Sequence, residues 1–128
     1  MNLLIDTHIF IWMALEPARL PTTLRAGLEE SSHQIVLSTA SLWEMQIKYQ
    51  TGRLNLPAPA QVFVEMQVLL RDIQILPVYP QHVWAVDALP YHHRDPFDRL
   101  LIAQAIVEGH SLASADAAFQ QYPVALFR

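Results

Sequence analysis

The stretch Asn2-Leu3-Leu4-Ile5-Asp6-Thr7-His8 sets three aliphatic residues in a row and then, with no turn residue between, a carboxylate. A short apolar run of this kind reads as a strand buried on both faces, and such strands belong to parallel sheets. The acid then falls just beyond the strand's carboxyl end, where open α/β sheets bind their ligands. Ser111-Leu112-Ala113-Ser114-Ala115-Asp116 repeats the pattern near the other end of the chain. Two more acids stand near helix starts: Glu44, in the first turn of a helix that follows Ile35-Val36-Leu37, and Asp98, in the first turn of a helix opened by Asp95-Pro96. Strand ends and helix starts can share one rim, so Asp6, Glu44, Asp98 and Asp116 predict a single acidic, metal-binding pocket.

Working outward, strands are expected at residues 2–5, 35–38, 73–76, 111–113 and 124–127. Helices are expected at 9–15, 21–30, 41–50, 60–71, 81–89 and 96–108. Pro17 ends the first helix, Gly52 supplies a left-handed stop for the third, and Gly109 stops the last. Leu42, Met45 and Ile47 are the expected buried residues of the third helix. Val62, Phe63, Met66, Leu69 and Leu70 recur at helical spacing and predict an amphipathic core helix. Alternation of strand and helix implies a three-layer α/β/α domain spanning residues 1–128, with a central parallel sheet of four to five strands. No repeat, low-complexity tract or flexible linker interrupts it.

The 128 residues fit one core, yet 52% are hydrophobic, a high share that points to a dimer or a bound partner covering apolar surface. A formal charge of −4 argues against a protein that grips nucleic acid through a broad basic face, while leaving room for contact at one site. The absence of Cys excludes disulfides and thiolate metal sites and fits a reducing compartment, with the cytoplasm the expected location. The amino terminus has no basic leader, and no apolar run approaches the roughly 20 residues that span a bilayer.

Each acid also has a structural explanation. Asp95 can act as N-cap with Pro96 at the first helical position, and Asp98 is favoured there by the helix dipole. Ser41-Leu42-Trp43-Glu44 matches a capping box, and Glu44 can pair with Lys48 one turn on. Asp6 can cap the helix that begins near His8. If the four acids meet, they repel one another unless a cation neutralises them, and an all-oxygen set suits Mg²⁺ or Mn²⁺ better than Zn²⁺. Such ions activate water and stabilise a phosphodiester in flight. No Gly-rich phosphate loop, Gly-x-Ser-x-Gly elbow or Cys nucleophile competes with that chemistry. His92, His93, Arg94 and Arg99 near Asp98, with Lys48 and Arg53 near Glu44, form a weakly basic rim suited to a phosphate backbone. The adjacent pair His92-His93 lacks the spacing of a zinc site. Trp12, Trp43 and Trp84 lie in apolar helical patterns and are expected in the core rather than stacked on bases.

Taken in order, Leu3-Leu4-Ile5-Asp6-Thr7-His8 with Trp12, Ser41 to Lys48 with Gly52-Arg53-Leu54, His93 to Ala105, and Ser114-Ala115-Asp116 resemble the PIN-domain family, and within it the VapC-type toxins of bacterial toxin–antitoxin pairs. The likeness covers essentially the whole chain. It implies a metal-dependent endoribonuclease that hydrolyses RNA phosphodiester bonds with a metal-activated water. Asp6 and Asp98 would be the main Mg²⁺ or Mn²⁺ ligands, Glu44 and Asp116 would complete the set, and Asp95 would join through water or serve only as a helix cap. It also implies a homodimer and a small antitoxin that covers the site. Ser114 stands where many relatives carry Thr and keeps the hydroxyl; His8 is given no catalytic role. The alternative function is a PIN-fold binding protein with negligible turnover, acting through antitoxin capture and transcriptional autoregulation.

Overall fold

The computed structural model describes residues 1–91 and 95–128. Its strands β1 (Asn2–Ile5), β2 (Gln34–Ser38), β3 (Gln74–Leu76), β4 (Ser111–Ala113) and β5 (Leu126–Phe127) form one sheet in the order β3-β2-β1-β4-β5. All four pairings are parallel. The central strand β1 pairs Leu4 with Val36 on one side and with Leu112 on the other, and Ile5 with Ala113. The chain moves outward from β1 through β2 to β3, then returns to lay β4 on the opposite side of β1. The reversal creates a crevice beyond the carboxyl ends of β1 and β4, the place where doubly wound sheets take ligands. Asp6 and Ser114 are the first residues past those two strands.

Alternate residues of the strands feed two separate cores, as the period of two requires. Leu3, Ile5, Ile35, Leu37 and Ala113 face helices α1 (Thr7–Leu15), α2 (Thr22–Glu29), α3 (Thr39–Gln50) and α4 (Ala60–Arg71). Leu4, Val36, Leu76 and Leu112 face the other side, covered by α5 (Pro80–Ala85), α6 (Pro96–Glu108) and Phe119. The three layers and the parallel sheet are those expected. Among the described residues no helix is long and apolar enough to cross a membrane.

Several local expectations are corrected. Helix α3 begins at Thr39, capped by Ser38, whose hydroxyl accepts from the Ala40 N–H at 3.0 Å. The capping box at Ser41 is therefore absent: β2 runs straight into the helix, Ser41 is buried inside it, and Glu44 falls in the second turn. The helix expected at 81–89 starts at Pro80 and tightens into a 3-10 turn at Val86–Ala88. Helix α4 has the expected bounds but buries Ala60, Phe63 and Val64, leaving Val62, Met66, Leu69 and Leu70 exposed. Apolar residues ring more than half of that helix, so the period does not choose the face; the edge-on contact of Phe63 with Phe10 of α1 marks the side turned into the first core. Trp12 packs half-buried against the first core, but Trp43 and Trp84 are 59% and 73% exposed, because α3 and α5 turn Met45 and His82 inward instead.

Candidate acidic active site

Asp6 is the N-cap of α1. One carboxylate oxygen accepts from the Ile9 N–H at 2.8 Å and the other from the Ser114 hydroxyl. Ser114 Oγ in turn accepts from the Asp116 N–H at 3.0 Å, so one hydroxyl beyond β4 ties the acid beyond β1 to the backbone of the next acid. Asp116 caps the 3-10 turn Ala117–Gln121 through the Ala118 N–H. On the other flank Thr7, the first residue of α1, donates from Oγ1 to Glu44 Oε1 at 2.6 Å and lies 3.0 Å from Ser41 Oγ. Glu44 Oε2 meets Lys48 Nζ at 2.8 Å. Asp6 and Glu44 are both only 4% exposed, an arrangement that hydroxyl and ammonium donors make tolerable.

Asp98 stands in the first turn of α6, whose N-cap is Asp95; Asp95 Oδ1 accepts from the Phe97 and Asp98 N–H groups at 2.9 and 3.4 Å. The Asp98 carboxyl is pushed up to about 7, first by burial and then by the charges of Asp95, Glu44, Asp6 and Asp116. Those four are the other acids singled out in the sequence, each near enough to Asp98 to act on its charge. Burial also raises Asp6, against the pull of the Ser114 and Ile9 hydrogen bonds. Among the described residues no three acidic or imidazole side chains are drawn tightly enough to grasp an ion directly. Mg²⁺ usually retains several waters between itself and protein oxygens, so direct contact with every acid is not required. The donor set, all oxygen and without Cys, fits that ion.

Two cavities flank the acids. One, of about 400 Å³, is lined by Glu44, Lys48, Arg53, Asp95 and Phe97; the other, of about 370 Å³, by Asp6, Asp116, His8, Trp12 and Arg19. An apolar groove lined by Leu42, Trp43, Ala60 and Val64 contains none of the acids. Lys48 and Arg53 thus reach the acidic rim, Lys48 already paired with Glu44. Arg99 does not belong to the phosphate-facing set expected for it. It is 9% exposed, and its guanidinium donates to the Pro90 and Val86 carbonyls and to Tyr122, bracing the loop before α6. His92, His93 and Arg94, the rest of that expected rim, lie outside the described residues. The sequence suggests no site role for Thr7 and only a capping role for Ser41; the available signal was small polar residues at positions where helical spacing called for burial.

The family model for the PIN domain matches residues 3–125. The chain is 28% identical over 116 residues to "Ribonuclease VapC22" of Mycobacterium tuberculosis, covering 90% of this chain and 87% of that protein. Its fold is similar to that of VapBC2 from Rickettsia felis bound to a promoter DNA fragment, with a TM-score of 0.75, 18% identity and coverage of 100% and 98%. DNA-bound VapBC from Salmonella typhimurium gives 0.72, 14%, and coverage of 100% and 97%.

Proposed function

The chain belongs to the PIN domain family, and from that premise we propose that it is a metal-dependent endoribonuclease, the toxin of a toxin–antitoxin pair. The observation that supports the reading is that Asp98 lies buried within the field of Asp95, Glu44, Asp6 and Asp116, at the rim where Asp6 and Asp116 follow the ends of β1 and β4. The similarity to a ribonuclease VapC supports the substrate class, and the likeness in fold to VapBC supports an antitoxin partner.

Asp6, Asp98, Glu44 and Asp116 would hold Mg²⁺ or Mn²⁺, with Asp95 holding the helix start. When bound, the ion supplies an activated water and positive charge against the phosphodiester. The chain's own contribution is positional. Ser114 and the Ile9 N–H fix both oxygens of Asp6, and Thr7 and Lys48 fix both oxygens of Glu44, so each acid presents one set orientation. Lys48 and Arg53 would face the phosphate backbone from the Glu44 side.

Cleavage of RNA by purified protein in Mg²⁺ or Mn²⁺, against chelator and beside Asp6→Asn, tests this. Metal-dependent cutting that Asp6→Asn reduces at least about 100-fold is expected, the order of loss for a group acting directly on a charged transition state. Cutting that persists in chelator or in a folded Asp6→Asn protein overturns the site. No cutting by folded wild-type protein, together with tight antitoxin binding, favours the partner-binding alternative.

A further inference from the structure

The cavity beside Asp6 and Asp116 has a wall that metal chemistry does not use. His8 and Trp12 lie one turn apart on α1, their rings 6.1 Å apart at 51°, and the Arg19 guanidinium sits 4.6 Å from the centre of the Trp12 ring. Trp12 is packed against the core and held in place, whereas His8 and Arg19 are exposed. Arg19 is tethered on its other side to Glu16 at 3.5 Å. A planar cation is thus laid over a fixed aromatic ring at the edge of the acidic pocket.

We propose that this wall is a nucleobase subsite: a base of the single-stranded RNA next to the bond being cut stacks on the Arg19 guanidinium, with Trp12 as the layer beneath and His8 at its edge. The identity of the strand as RNA rests on the ribonuclease reading above. Guanidinium planes and aromatic rings are the surfaces on which proteins stack unpaired bases. The two carboxylates in the same cavity repel a phosphate but not a neutral base, which turns the base and not the backbone toward this wall. A half-buried ring with a guanidinium across it offers a protein segment little apolar area, while a flat heterocycle matches it plane on plane. The cavity, about 370 Å³, is near the lower end of the roughly 300–1,000 Å³ common for small-molecule sites.

The experiment is equilibrium binding of fluorescein-labelled decauridylate, and of a decamer of abasic ribose phosphates, by fluorescence anisotropy in chelator. Binding without turnover separates this subsite from the nuclease activity. It uses the Asp98→Asn protein, which lacks one charge of the pocket, with Arg19→Ala, Arg19→Lys and Trp12→Phe added singly and each fold checked by melting. Arg19→Ala is expected to weaken decauridylate binding about ten-fold, in the range of one lost base stack. Arg19→Lys should weaken it nearly as much, because the charge remains but the plane is lost. Trp12→Phe should keep most of the affinity; Arg19→Lys and Trp12→Phe should leave the abasic strand unchanged, and Arg19→Ala should weaken it far less than decauridylate. An Arg19→Lys protein that binds like its parent reduces Arg19 to a phosphate contact and overturns the subsite. So does decauridylate affinity that no variant moves, or no binding at all, either of which leaves the wall to a protein partner. If cleavage fails but the stacking losses appear, the nuclease reading falls and the subsite stands.

Discussion

Asp98 takes its charge in a buried place and against four neighbouring acids, and that cost has a pH signature. Its carboxyl titrates near 3.8 in an open chain and near 7 in the fold, so between those values the folded state binds more protons than the unfolded one. Asp98's contribution to stability is therefore complete below about 4 and is lost as the pH rises through 7. In chelator, Asp98→Asn should melt a few degrees above wild type at pH 8 and close to it at pH 4, since about 1 kcal/mol moves a domain of this size by roughly 3–6 °C. Parallel melting curves across that range would remove the repulsion argument. The same charge is what a cation neutralises. Mg²⁺ should raise the wild-type melting temperature in a concentration-dependent way and raise that of Asp98→Asn much less. At limiting Mg²⁺, RNA cleavage should fall as the pH drops from 8 to 6, because protons then compete for the carboxylates. A flat profile would exclude carboxylate ligands.

Helix α6 joins two roles in one turn, since Asp95 caps the helix that presents Asp98 and also raises Asp98's carboxyl. The roles separate by substitution. Asp95→Asn keeps a capping oxygen and should leave stability within about 0.5 kcal/mol, whereas Asp95→Ala should lose about 1 kcal/mol. Both remove a charge, so both should make Asp98 easier to ionise: its titration shifts from near 7 to lower pH, and the total alkaline loss of metal-free stability shrinks. Urea unfolding at pH 5 and 8 measures cap and charge together; equal stability of the Asn and Ala variants would deny the cap. The start of α6 was legible in sequence because Asp-Pro at a helix start is a local signal, as was the alternation that gives β1, β2 and β4. What local signals do not carry is the choice among faces. Helix α4 has apolar residues on both sides, and only packing into the first core, against α1 and α3, decides that Phe63 and Val64 turn in while Met66 and Leu69 turn out. Arg99 misled for the same reason: it neighbours Asp98 in sequence, but one residue along a helix is about 100° around it, which sends the guanidinium into the loop before α6.

Across the whole molecule, charge limits how RNA can be held. The chain carries a formal charge of −4, and near the acids Lys48 is paired with Glu44 while Arg99 is buried. Apart from Arg19, assigned to a base, Lys48 and Arg53 are the described cations beside the acids, and the sequence adds Arg94 next to Asp95, three in all for a backbone. Each phosphate contact to a single strand contributes about 0.7 to the slope of log affinity against log salt, so three predict a slope of about −2. A protein with a broad basic face shows several times that. Binding of decauridylate at fixed chelator, titrated from low to high KCl, should give this shallow slope, and Arg53→Ala should lower it by about one contact's share. A slope steeper than about −4 would require a basic surface elsewhere on the fold. The shallow slope has a functional corollary: a chain of net charge −4 with few cations for a backbone gains little from non-specific RNA, so selectivity must come from how a strand fits between the two cavities beside the acids.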